Sequence, residues 1–125
     1  MYTNLDMFRT ALSMAQHAGA RQALVATNIA NSDTPGYKAR SLPAFSEIAD
    51  AGETVKLRAT RAGHMGAEAS SFVRVQLSGG EPAPNGNDVS IEVEMLNAVA
   101  IEREHDRALA IYRHSLGVLR TSLGR

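Results

Sequence analysis

Residues Ser90–Leu123 read SIEVEMLNAVAIEREHDRALAIYRHSLGVLRTSL, and their spacing decides the fold. Met95, Ala98, Glu102, His105, Leu109, Tyr112, Leu116, Leu119 and Leu123 follow alternating steps of three and four. That is the period of one helix face. A second stripe, Ile101, Ala108, Ile111 and Val118, widens the apolar surface. The stretch holds no proline, and Asp88 or Ser90 is placed to cap its start. Acidic Glu92, Glu94, Glu102, Glu104 and Asp106 precede basic Arg107, Arg113, Arg120 and Arg125. That order complements the helix dipole at both ends. The spacing predicts one helix of about 50 Å at 1.5 Å per residue.

Working back along the chain, a matching pattern appears at the other end. Leu5, Phe8, Leu12, Ala15, Gly19, Gln22, Ala26 and Ile29 step by three and four from Asn4 to Asn31. The early positions are bulky and the later ones small, which lets another backbone approach closely. Gln22 either sets register or faces solvent. Pro35 then ends the helix, because the residue before proline avoids helical geometry. Pro35-Gly36 suits the centre of a type II turn, with Gly36 at positive φ. Asn28 and Asn31 are expected to satisfy backbone groups there, and Tyr37 to pack on a neighbour.

Between the helices the pattern weakens. Val73, Val75 and Leu77 alternate as a short strand, and Val55 with Leu57 suggests another. Residues 79–87, rich in Gly, Pro and Asn, read as a loop. The middle is either a small β-rich insertion or partly mobile. The expected fold is therefore mainly α. Long N- and C-terminal helices (1–31 and 89–125) pack as an antiparallel, coiled-coil-like pair around a loop and short-strand insertion (32–88). The stripes are wider than one pairing needs. Leu5, Phe8, Leu12, Ala15, Gly19, Met95, Leu109, Tyr112, Leu116, Leu119 and Leu123 are thus candidates for burial against other subunits. Ordering such helices alone costs roughly 1–2 kcal/mol per residue of backbone entropy. They are expected to be poorly ordered in the monomer and to fold on assembly.

Composition narrows the function. Lys plus Arg equals Asp plus Glu at 13 each, which gives nucleic acid or an anionic membrane no electrostatic basis. The absence of cysteine excludes a disulfide framework and thiolate metal sites. No leader pattern and no apolar run of transmembrane length is read. Glu102 and His105 match the Glu-x-x-His spacing of di-iron bundles, but such sites need a second copy and further carboxylates. His17, His64, His105 and His114 lack zinc spacing. Neither a Gly-x-Ser-x-Gly elbow nor a phosphate loop occurs. No catalytic group, cofactor, metal or small-molecule substrate is expected.

The run Asn28-Ile29-Ala30-Asn31-Ser32-Asp33-Thr34-Pro35-Gly36-Tyr37-Lys38-Ala39-Arg40 resembles the N-terminal signature of the flagellar rod and hook protein family. Asn85-Gly86-Asn87-Asp88-Val89, followed by Glu94-Met95, resembles the opening of the C-terminal helix in its proximal, B-type members. Thr60 and His64 resemble a weaker middle pattern, and the short length fits the same class. The sequence departs from that pattern at Ile101 and His105, where an Asn and a Tyr are usual. The resemblance implies a non-enzymatic subunit of the flagellar basal body rod in the periplasmic space. It implies export by the flagellar type III apparatus without a cleaved signal peptide. It implies helical assembly with other copies and other rod proteins, beside the rod-base adaptor, export gate and membrane ring. A C-type proximal rod protein and a small helical adaptor binding one partner are the alternatives.

Overall fold

The computed structural model describes residues 2–50, 75–78 and 80–124. Val55, Leu57, Thr60, His64 and Val73 lie outside the described residues. Helix α1 spans Tyr2–Ala30 and helix α3 spans Ile91–Ser122. A short helix α2 covers Phe45–Asp50. Arg40–Ser41 (β1) and Gln76–Leu77 (β2) form a two-residue antiparallel ladder, with Arg40 opposite Leu77 and Ser41 opposite Gln76.

α1 and α3 run antiparallel along most of their length. Phe8 near one end of α1 meets Tyr112 edge-on, with ring centroids 5.2 Å apart. Farther along, Arg21 meets Glu104 at 2.6 Å. Ala18 and Val25 pack on Ile101, with Ile29 and Ala98 beside them. The buried line of α1 is Ala11, Ala18 and Val25, and that of α3 is Glu94, Ile101, Ala108 and Ser115. Both lines repeat every seventh residue, as two helices wound about each other require. Their side chains are mostly small, so the helices meet closely and bury few large groups.

This seam differs in phase from the one read in the sequence. On α1 it runs one residue earlier, leaving Leu12, Gly19 and Ala26 exposed. On α3 the internal face is the second stripe, through Ile101 and Ala108, while Met95 and Tyr112 are exposed. The physical reason is the small residues on both faces of α1. Periodicity gives the repeat of a helix, whereas the face that turns inward is chosen by what fits the partner.

Each end of α3 is closed chemically. The Ser90 hydroxyl accepts from the Val93 N–H at 3.5 Å, so Ser90 is the cap rather than Asp88. Glu92 and Glu94 stand in the first turn and Arg120 in the last. α2 lies against α1, where the Phe45 ring is 5.8 Å from that of His17.

Candidate functional site

Where α1 ends, its last carbonyls point out of the helix with no intrahelical donors left. The chain reverses there through Thr34-Pro35-Gly36-Tyr37, closed by a Tyr37 N–H to Thr34 carbonyl bond of 3.2 Å. Gly36 has φ of 71°, a conformation open to glycine and costly for β-branched residues. The Gly36 N–H donates to the Asn85 carbonyl at 3.0 Å, which brings the turn against the loop that leads into α3.

Two asparagines hold this junction. Asn28 is 1% exposed and works as a surrogate β-strand. Its Nδ2 donates to the Arg40 carbonyl at 2.8 Å, and its Oδ1 accepts from the Arg40 N–H at 3.1 Å. The same oxygen accepts from the Tyr37 hydroxyl at 3.2 Å. Tyr37, expected on a neighbour, is thus engaged inside the chain and half-buried. Asn87, 3% exposed, faces the end of α1 from the other side. Its Nδ2 lies 2.9, 2.8 and 2.8 Å from the carbonyls of Asn31, Ser32 and Thr34, so two protons serve three acceptors. Its Oδ1 accepts from the Val89 N–H at 2.7 Å. One side chain therefore caps the C-terminus of α1 and sets the entry into α3.

Asp88 completes the clamp. Its Oδ1 accepts from the Ala39 N–H at 2.6 Å, and its Oδ2 lies 3.6 Å from Lys38 Nζ. The Asp88 carboxylate is nearly buried while the lysine is half exposed, so the backbone hydrogen bond matters more than the ion pair. The segment 37–41 is thereby held between α1 and the 85–88 loop.

The other residues of the motif and the candidate interface sit as follows. Ile29 is half-buried in the seam, Asn31 is half-buried, and Ala30, Thr34, Pro35 and Gly36 are exposed. Phe8, Ala15, Leu109, Leu116 and Leu119 are half-buried. Leu12, Gly19, Met95, Tyr112 and Leu123 are exposed. Leu5 lies within α1, with its side chain outside the described set. The exposed apolar residues concentrate on α3: Ile91, Val93, Met95, Leu96 and Val99 at one end, Val118 and Leu123 at the other. Leu96 is 72% and Leu123 73% exposed.

Glu102 and His105 border a groove between the helices with Ala18, Gly19, Gln22 and Ile101. Among the described residues no group of three or more ligating side chains forms a cluster that holds a metal ion. No described helix is long and apolar enough to cross a membrane. His17 is 3% exposed, and neither ring nitrogen has a hydrogen-bond partner among the described residues. Burial, with a further push from the Arg21 guanidinium, lowers its pKa from the ordinary histidine value against a smaller pull from Glu104.

The junction coincides with a shared pattern in known proteins. A family model described as flagella basal body rod protein matches residues 8–38, from the start of the seam to the turn. The flagellar basal body rod protein FlgB of Escherichia coli K12 is 35% identical over 104 residues, covering 72% of this chain and 75% of the relative. FlgB of Cereibacter sphaeroides ATCC 17029 is 30% identical over 105 residues, 82% of each chain. FlgB of Agrobacterium fabrum C58 is 31% identical over 108 residues, 82% of this chain and 81% of the relative. The chain belongs to the FlgB family of flagellar basal body rod proteins. It is a structural subunit of the flagellar rod, and in this chain the asparagine-clamped junction ties the exit from α1 to the entry into α3.

The sequence pattern offers Asn87 no role beyond the resemblance and marks Asp88 only as a possible cap of α3, not as a partner of residues 38 and 39. Their partners lie 49–56 residues away in the chain, beyond the reach of any local pattern. The seven-residue spacing of Ala11, Ala18 and Val25 was the available signal for the inner seam.

Proposed function

We propose that this chain is a subunit of the proximal rod, the part of the driveshaft nearest the membrane ring. In this reading the helices 1–31 and 89–125 form the core of a helical tube, and residues 32–88 are an insertion carried on it. Further copies and other rod proteins cover the outward faces. The rod-base adaptor and export gate are neighbours at the lower end. The chain reaches the periplasm through the flagellar type III apparatus, and flagellar assembly and motility require it. It has no enzymatic role in this account.

The observation that carries the reading is the distribution of apolar surface. α1 and α3 satisfy each other through a narrow seam of small residues, yet Met95, Leu96, Val99, Val118 and Leu123 remain exposed on α3 and Leu12 on α1. Exposed apolar side chains grouped in this way mark a protein contact surface. A pair with so thin a core is marginal alone and gains stability when neighbours arrive.

Purified hook–basal bodies, probed with an antibody to a tag inserted after Gly66, test the reading. Tag label at the base of the rod is the expected result. Label confined to the cytoplasmic fraction contradicts it.

A further inference from the structure

The outward face of α3 carries a second seven-residue line that the helix pair leaves unused. Glu92, Val99, Asp106, Arg113 and Arg120 follow one another at that spacing, and all five are exposed. The line lies two residues out of step with the buried line Glu94, Ile101, Ala108 and Ser115, which places it on the opposite side of the helix. It is acidic towards the start of α3 and basic towards its end. Beside it runs Leu96, the most exposed apolar group at the acidic end. Three heptads farther on the same flank is Gly117, where a Cβ would meet nothing within 4 Å. Gly117 lines a shallow open hollow with His114, Val118, Thr121 and Ser122.

We infer that the occupant of this face is a second copy of the chain, with the first turns of its α3 laid parallel over the last turns of the first copy's α3. A stagger of three heptads, about 32 Å at 1.5 Å per residue, aligns every feature at once. Leu96 of one copy enters the hollow at Gly117 of the other. Glu92 faces Arg113, Met95 faces Leu116, and Val99 lies along the aliphatic stem of Arg120. Laid parallel without stagger, the same face sets acid on acid and base on base, which is repulsive. Exposed ion pairs add little affinity, so the apolar contacts supply the binding and the charges select the register. A parallel contact staggered in this way uses different surfaces on the two copies, so it is head-to-tail and does not close. The inference rests on the polymer-subunit reading and names the partner surface within it.

The natural absence of cysteine makes the test clean. Full-length chain carrying Leu96→Cys and Gly117→Cys together, oxidised at high concentration, is expected to give a ladder of disulfide-linked multimers. Neither single variant gives the ladder. On that background Arg113→Glu lowers cross-linking by roughly threefold, and adding Glu92→Lys restores it. Leu96→Ser in an unlinked sedimentation assay lowers self-association about tenfold. Closed dimers alone, the product of antiparallel pairing, overturn the proposal, as does the absence of cross-links. The same variants examined in purified basal bodies separate the two readings. Chain present there without a 96–117 link sinks this contact and leaves the rod assignment standing. A ladder in solution with chain absent from basal bodies supports the contact and sinks the rod assignment.

Discussion

Replacing Asn87 with alanine tests the clamp at its centre. The substitution removes the Nδ2 group that serves the carbonyls of Asn31, Ser32 and Thr34 and the Oδ1 that accepts from Val89. The losses are unequal. The Asn31 carbonyl keeps the Thr34 N–H at 3.0 Å, and the Thr34 carbonyl keeps the Tyr37 N–H at 3.2 Å. The Ser32 carbonyl and the Val89 N–H lose their one partner among the described residues. An orphaned buried group costs about 1–3 kcal/mol. Ser32 and Val89 are half-buried, so water reaches them in part. Two such groups at the lower end give about 2–3 kcal/mol. That is a large share of the roughly 5–15 kcal/mol available to a domain. Urea unfolding followed by circular dichroism at 222 nm, at a concentration where the chain is monomeric, measures it. The midpoint moves to lower urea by that amount, or helicity is already lost without urea if the wild type is no more stable than this. Asn87→Asp falls at least as far at neutral pH, because it turns a carboxylate towards three carbonyls, and it recovers in part when acid protonates it. Curves for wild type and Asn87→Ala that agree within about 0.5 kcal/mol would refute the clamp, since that is the scatter of an ordinary surface change.

Three further outcomes follow from the same geometry. Gly36→Val costs about 1–3 kcal/mol through backbone strain alone, because open space surrounds the Cβ position, and Gly36→Asn costs clearly less; equal urea midpoints for the two variants would remove the turn argument. Ala18→Leu adds three carbons to a side chain that is 1% exposed and packs on Ile101, and destabilises by about 1–3 kcal/mol in the same titration; a stabilised variant would mean the helices sit farther apart than described. His17, faced by Arg21 on α1, Glu104 on α3 and the Phe45 ring on α2, has a folded pKa below the ordinary value of 6.5. The unfolded chain therefore binds more protons between those two values, so stability is complete above about pH 6.5 and declines as pH falls towards the folded value. His17→Phe flattens that slope, and a slope unchanged by the substitution would place the titration elsewhere.

Much of the fold is legible in the sequence because long helices carry redundant signals. Thirty-odd residues of three-and-four spacing, a serine cap, and a proline five residues beyond the end of α1 agree with one another. The phase of the seam is not legible, for a reason visible at Ala18 and Gly19. Both are small, both belong to a seven-residue line, and only one faces α3. A bulky residue on one line and a charge on the other would have decided it, but α1 has a single charged residue, Arg21, between Thr10 and Ala30. The junction is legible in part. Pro35-Gly36 announces a turn from its own chemistry. The work of Asn28 and Asn87 depends on carbonyls brought together by the pairing of helices far apart in the chain. Asparagine in a loop looks the same whether it caps a distant helix or faces water.

Whether this chain is an essential subunit of the proximal rod is decided by electron microscopy of basal bodies from a strain lacking its gene. Membrane rings without rod or hook are expected, with both restored by the wild-type gene supplied in trans; intact hook–basal bodies in the deletion strain would rule the assignment out.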